Sequence, residues 1–333
     1  MKSVKAVSPY IHPEFLNFKT APYEAWMKIG NKNGGGHGLV AKAHYPWRAF
    51  HGLVYRWELP SWSLFKSKKE ARLRFVEPVS ISFDTFPDYA RHEIIPFIWD
   101  CWPKYFEKMC EWLQKHRVKT SILTSSQTAE LMHERFPDMS IMFCPEAVDT
   151  TCYQEGKLLK ERTIDLLEFG RESGLTLNGN SPTPALPHME GETEKKSYNY
   201  VCTKVNGKFI YTNEQLYEAM GDAKITIALP RSITQPEVAG DIETLTQRYW
   251  ENMLSRMVMV GHAPKELVDL IGYNPVIEID REHVNEQIFD ILSHIEDYQV
   301  LVDKNRETAL RIGSWDYRIK QVMEWLKGHG YEV

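Results

Sequence analysis

The sequence predicts an α/β fold in two domains, each an open parallel sheet with helices on its faces. Three observations predict it. Short apolar runs alternate with amphipathic helical segments; the alternation occurs in two series; and a polar segment separates the series. A chain of 333 residues, 43% hydrophobic and 26% charged, is long enough to bury two such cores.

The first 75 residues are rich in aromatics and contain Asn33-Gly34-Gly35-Gly36-His37-Gly38, and the pattern assigns them no strand order. The basic run from Lys66 to Arg74 reads as a solvated helix face. Val79–Phe83, Ile94–Ile98, Ser121–Thr124 and Ser140–Phe143 then read as buried strands, being short and rich in β-branched and aromatic residues. Between them, Phe106, Met109, Cys110 and Leu113 recur at i, i+3, i+4 and i+7 and predict a helix over 103–116. A second helix over 126–136 starts on a serine and stops before Pro137.

Cys144 to Asp149, with the polar residues up to Arg162, form the expected linker. Beyond it, Ile164–Phe169, Lys224–Leu229, Met257–Val260 and Pro275–Ile279 read as strands, with helices over 213–220, 246–255 and 284–295 and a closing pair over 299–326. The stretch 174–208, dominated by Pro, Gly, Ser, Asn and charged residues, reads as a surface insertion. The expected domains are therefore 1–148 and 149–310, with a C-terminal helix in 311–333 packing back on the first. In such sheets ligands collect beyond the carboxyl ends of the strands, and a sizeable one would lie in a cleft between the domains.

Composition excludes several classes. The net charge is −5 and no long Lys/Arg block occurs, which argues against a nucleic-acid partner. Nowhere do about 18 apolar residues run without charge, and the first ten lack a secretory core, so the expectation is a cytoplasmic protein, free to touch the inner face of the membrane peripherally. Five cysteines without a C-x-x-C pair fit neither a disulfide framework nor a structural zinc site.

The most informative segment runs from Glu243 through Thr246-Gln247-Arg248-Tyr249-Trp250-Glu251. A helix beginning near Thr246 offers unpaired N–H groups and a positive dipole end to an anion, with the Thr hydroxyl as cap or further donor. Arg248 adds a bidentate guanidinium and Glu251 an acceptor for a ribose diol. At the carboxyl end of the strand Ile94–Ile98, Asp100 is a candidate general base or a helix cap, while Trp99 and Trp102 could stack on sugar rings. His37 in the glycine stretch is a candidate proton acceptor, although the stretch matches neither the dinucleotide nor the P-loop spacing. Asp84 and Asp88 follow the strand Val79–Phe83 and are further cleft or turn residues.

From about Tyr211 to Leu326 the chain resembles the C-terminal domain of group 1, family 4-like glycosyltransferases, particularly the branch related to the spore-coat protein CgeB. The likeness rests on Asn213 to Tyr217, the Thr246 to Glu251 helix, Pro264 to Leu267 and Ser314 to Arg318, about a third of the chain. It implies two Rossmann-like domains facing a central cleft (GT-B), a nucleotide-diphosphate-sugar donor, a saccharide or lipid-linked acceptor, no metal or other cofactor, and a place in polysaccharide biosynthesis. Such enzymes often hold two glutamates separated by seven residues, and Glu243 and Glu251 match, although Thr244 replaces the glycine expected after the first. Leu166 to Arg171 is similar to the strand-Gly-Arg element opening the donor domain, so Arg171, with Arg231 or Arg248, is the expected diphosphate partner. Inversion would need a base such as Asp100; retention would not. Two alternatives remain beside transfer: a nucleotide- or sugar-binding module without turnover, and a nucleotide-sugar epimerase, which the missing dinucleotide fingerprint disfavours.

Overall fold

The computed structural model describes residues 1–8, 20–30, 35–37, 66–171, 173–175, 177, 179–180, 198–205, 208–209 and 211–333, with backbone alone at 35–37, 179–180, 204–205 and 208–209. Along the chain these form β1 (Lys2–Ser8), α1 (Thr20–Ile29), β2 (Gly35–His37), β3 (Glu70–Val76), α2 (Ile81–Asp84), α3 (Asp88–Arg91), β4 (Glu93–Ile98), α4 (Pro103–Lys115), β5 (Thr120–Leu123), α5 (Ser126–Arg135) and β6 (Ser140–Phe143). There follow β7 (Ile164–Glu168), β8 (Gly179–Asn180), β9 (Tyr198–Cys202), the short antiparallel pair β10 (Lys204–Val205) and β11 (Lys208–Phe209), α6 (Asn213–Asp222), β12 (Ala223–Ala228), α7 (Arg231–Thr234) and α8 (Pro236–Ala239). The last elements are α9 (Gln247–Leu254), β13 (Val258–Gly261), α10 (Lys265–Ile271), β14 (Val276–Glu278), α11 (Val284–Ser293), α12 (Gln299–Ile312), α13 (Trp315–Gly328) and β15 (Tyr331–Glu332).

The chain divides into two compact units, each of which draws on separated segments. The first contains 1–147, 235–244 and 315–333, and the second 148–234 and 245–314.

In the first unit the strand order is β15-β1-β3-β4-β5-β6, all parallel, with β2 also paired to β1. One face of this sheet buries Val4, Leu73, Phe75, Ile95 and Phe97 together with Trp26 of α1 and Trp315, Ile319 and Val322 of α13. The other buries Val76, Ile94 and Ile98 with Met109, Cys110 and Leu113, the apolar stripe expected of α4.

Two expectations fail here. The basic run is not a solvated helix: Glu70, Arg72 and Arg74 occupy alternate positions of strand β3, and Arg74 is buried. Its guanidinium reaches Asp88 Oδ2 at 3.2 Å and the Asp84 carbonyl, so an interior cation is matched rather than solvated. Nor is Val79–Phe83 a strand. Ser80 Oγ donates to Asp84 Oδ2 at 2.7 Å and Thr85 Oγ1 to the Ile81 carbonyl at 2.6 Å, side-chain bonds that fold the segment into α2 despite its β-forming composition.

The second unit has the parallel order β14-β13-β12-β7-β9-β8. One face of its sheet packs Leu167, Ala228 and Met259 against Tyr249, Trp250 and Met253 of α9; the other packs Leu166, Ile225, Ile227, Val258 and Val260 against Val284, Ile288 and Ile291 of α11. The expected surface insertion over 174–208 contains a strand of this sheet, β9, with Tyr198 and Val201 buried. Asn and Cys in its sequence masked the pattern.

Candidate functional site

Strands β7 and β12 are neighbours, but the chain leaves β7 towards β9 and β8 on one side and leaves β12 towards β13 and β14 on the other. A crevice opens outside the carboxyl ends at such a switch of direction. There β7 ends at Glu168 and runs into Phe169-Gly170-Arg171, while β12 leads to Arg231 at the start of α7. Gly170 has φ +73°, and a Cβ there would overlap the Arg248 guanidinium. The turn therefore needs glycine both for its backbone and for the arginine laid over it.

Arg248 stands in the first turn of α9, against the Phe169 ring at 5.5 Å, and its Nη1 donates to the Arg171 carbonyl at 3.4 Å. Arg171 Nη1 reaches Thr234 Oγ1 of α7 at 3.3 Å. Burial lowers the Arg248 pKa, opposed by the nearby carboxylates of Glu251 and Glu168, and a guanidinium stays charged under any such shift. The first turn of α9 contains no acidic side chain, so none of its own carboxylates offsets the positive end of its dipole. Thr246 is the N-cap by position, and its hydroxyl makes no capping bond, so of the two expected roles, cap or further donor, it does not take the first. Gln247 is partly exposed beside it.

Glu251 follows one turn later on the same helix and accepts a hydrogen bond from Tyr153 Oη at 2.9 Å. Burial raises its pKa, while Tyr153 and Arg248 pull the other way. Tyr153 packs edge-on against Tyr217, ring centres 5.1 Å apart, and burial pushes the Tyr217 hydroxyl up to about 12. Glu168 is buried as well, its two oxygens accepting from the Ser173 N–H at 2.7 Å and from Tyr200 Oη at 2.5 Å. A separate surface cavity of about 880 Å³, bounded by Gly156, Lys157, Tyr217, Glu218 and Asp222, lies towards the amino ends of β7 and β12, away from the switch point.

No protein-family model and no curated protein matches the sequence. Solved structures do. Sucrose-phosphate synthase from Thermosynechococcus elongatus superposes with a TM-score of 0.56 at 9% identity, covering 99% of this chain and 99% of that one. HepE from Anabaena, solved in complex with UDP and glucose, gives 0.55 at 10% identity over 98% and 100%. The UDP-forming α,α-trehalose-phosphate synthase from Burkholderia vietnamiensis gives 0.54 at 9% over 97% and 96%. The shared fold is that of GT-B glycosyltransferases.

The remaining candidates lie in the first unit. Asp100, just past β4, has φ +50°, uncommon for a residue with a side chain. It is not the cap of α4: Trp102 holds that position, and its N–H donates to the Asp100 carbonyl at 2.9 Å. Trp99 and Trp102 are core residues, Trp99 stacked on Phe97 at 4.6 Å and Trp102 packed with Ala239 and Ile242, so neither presents a face to a sugar. Arg74 of β3 holds α3 through the Asp88 carboxylate and α2 through the Asp84 carbonyl, and the Asp84 carboxylate accepts from Ser80 at the start of α2.

Glu243 belongs with this unit because Gln127 of α5 clamps its segment. Gln127 Oε1 accepts from the Glu243 N–H at 2.7 Å, and Nε2 donates to the Asp241 carbonyl at 3.4 Å. Next along α5, Thr128 Oγ1 donates to the Cys101 carbonyl at 3.0 Å. The segments bearing Asp100 and Glu243 are thus both tied to the first turn of α5. His37 ends β2, and its side chain lies outside the described residues, as do Gly34 and Gly38. Sequence reasoning missed Tyr153, Glu168, Tyr200 and Gln127. The one signal for Glu168 was its place at the end of a strand before Gly-Arg.

Proposed function

We propose that the chain is a glycosyltransferase of the CgeB-related kind, which moves a sugar from a nucleotide-diphosphate-sugar donor to a saccharide or glycoconjugate acceptor in polysaccharide or glycoconjugate assembly. One observation carries the reading: Arg248 laid over Gly170 beside Arg171 at the switch point, with Glu251 one turn further along the same helix. The fold shared with enzymes of this class supports it.

In this reading the diphosphate lies on the amino end of α9, where Arg248, Arg171 and the first-turn N–H groups stabilise the negative charge that develops as the sugar departs. Arg231 adds charge from the end of β12. Glu251, oriented by Tyr153, accepts from the ribose hydroxyls. The bond from the sugar's anomeric carbon to the diphosphate oxygen breaks, the bond to the acceptor oxygen forms, and the acceptor's proton leaves. Asp100 is its acceptor if the configuration inverts, and Glu243 takes the sugar-side role that the resemblance implies for the first of the two glutamates. Among the described residues no helix is long and apolar enough to cross a membrane.

Thermal stability of the purified protein with UDP, GDP, dTDP, CMP and NAD, compared with Arg248→Ala and Glu251→Ala, tests the reading. A ligand at 100 times its dissociation constant adds about 2.7 kcal/mol. The expected result is selective stabilisation by one nucleoside diphosphate, lost in both variants. No shift with any diphosphate, or a shift retained by both variants, overturns the site. Turnover of the corresponding nucleotide sugar then separates a transferase from a binding module.

A further inference from the structure

Glu168 is the last residue of β7 and is 7% exposed, and its carboxylate oxygens accept two hydrogen bonds. Burying a carboxylate is costly unless its oxygens are satisfied. Here both are, by groups from two different elements: the Ser173 N–H at 2.7 Å, which belongs to the chain just beyond the turn, and Tyr200 Oη at 2.5 Å, on β9. Main-chain pairing extends the tie, since the Thr203 N–H donates to the Glu168 carbonyl at 3.0 Å. One side chain therefore ties the end of β7, where the turn at 169–171 begins, both to Ser173 and to β9. That turn contains the Phe169 ring and the Gly170 hollow on which Arg248 lies, and the Arg171 carbonyl to which Arg248 donates.

Closing the end of a parallel strand does not need a carboxylate; an apolar residue would pack there at lower cost. A carboxylate accepting from a main-chain N–H five residues on does something an apolar residue cannot, because it fixes the path of the turn. We infer that Glu168, braced by Tyr200, is a positioning residue that sets the turn at 169–171 so that Arg171 and Arg248 converge on one diphosphate. The inference rests on the donor site proposed above. Glu168 itself takes no part in the chemistry and does not touch the ligand.

Three variants test it. Glu168→Gln keeps an oxygen for the Ser173 N–H and an amide that can exchange a hydrogen bond with Tyr200; Glu168→Ala keeps neither; Tyr200→Phe removes the brace alone. The quantities to measure are the dissociation constants of UDP, GDP or dTDP, whichever binds the unsubstituted protein, and of the matching nucleoside. A convergence defect weakens the diphosphate and spares the nucleoside. The expected result is a loss of about tenfold in diphosphate affinity for Glu168→Ala, less for Tyr200→Phe, and for Glu168→Gln a value within about threefold of the unsubstituted protein. Nucleoside affinity should move by less than about twofold in all three.

Equal weakening of nucleoside and diphosphate would show a general structural role and overturn the inference, as would an unchanged ratio in Glu168→Ala. If the unsubstituted protein binds none of the diphosphates, or binds one with no loss in Arg248→Ala, the donor site itself fails. If Arg248→Ala loses binding while Glu168→Ala keeps it, only the positioning role fails.

Discussion

Tyr153 Oη donates to Glu251 Oε1 over 2.9 Å, joining a residue just after the first crossing between the units to helix α9. Burial holds the Glu251 carboxyl above the usual carboxylate range, and this bond is the first of two influences that restrain the rise.

Removing the bond should therefore make Glu251 easier to protonate. Donor affinity should fall as the pH is lowered through the raised Glu251 value, and in Tyr153→Phe the midpoint should move to higher pH. Titrating nucleotide affinity between about pH 4 and 8 checks the direction. The stability effect has the opposite sense. The folded state holds the Glu251 proton more tightly than the unfolded chain, so this group stabilises below the ordinary glutamate value and the benefit is lost as pH rises through the raised one. Glu251→Gln should flatten that part of the stability profile.

Gly170→Ala should both strain the backbone, at φ +73°, and collide with the Arg248 guanidinium. A loss of about 1 to 2 kcal/mol in unfolding free energy is expected from the backbone alone. Because Arg248 must also shift, nucleoside diphosphate affinity should fall in a variant that still folds. Calorimetric titration beside a denaturant melt separates the two effects.

Much of this arrangement was legible in sequence, and the parts that were not share a cause. Strands β4 to β6, β7 and β12 to β14 announce themselves because the runs are short, apolar and rich in β-branched residues. β3 does not, since Arg72 and Arg74 stand where such a strand shows apolar residues, and only partners at Asp84 and Asp88 make Arg74 tolerable inside. Arg248 and Glu251 could be nominated from helix periodicity. Their supports could not: the Arg171 carbonyl is 77 residues from Arg248, and the Tyr153 hydroxyl is 98 residues from Glu251. Long-range pairings of this kind leave no local pattern.

Arg162 should be among the least replaceable residues of the second unit. It is 2% exposed and donates to the carbonyls of Lys157 at 2.9 Å, Ala223 at 2.7 Å and Ser255 at 2.9 Å, joining the approach to β7, the start of β12 and the end of α9; burial pushes its pKa down to about 10. Arg162→Met keeps much of the bulk but orphans these acceptors. A destabilisation of roughly 3 kcal/mol is expected in equilibrium unfolding.

Gln127→Leu should free the segment around Glu243 without emptying the space. With the bond at 2.7 Å removed, the Glu243 amide should exchange with solvent about tenfold faster, the scale of one net hydrogen bond, while amides of β5 and β6 keep their protection. A lower transfer rate at unchanged nucleotide affinity in the same variant would assign the Glu243 segment to the transfer step rather than to nucleotide binding.

The chain crosses between the two units at 147/148, 234/235, 244/245 and 314/315, and at the first and last crossings Val148 and Ser314 run side by side in a parallel bridge, with the Val148 N–H on the Gly313 carbonyl at 3.0 Å. Neither half can therefore be cut out as a gene fragment. A product ending at residue 147 would lack Trp315, Ile319, Val322 and Leu326, leaving Leu73, Phe75 and Phe97 uncovered, and should be recovered as aggregate. Exchange of the second unit between proteins of this build would have to leave 235–244 and 315–333 in place, since both belong to the first, so a chimaera joined at a single point is expected to fail where one with matched junctions succeeds.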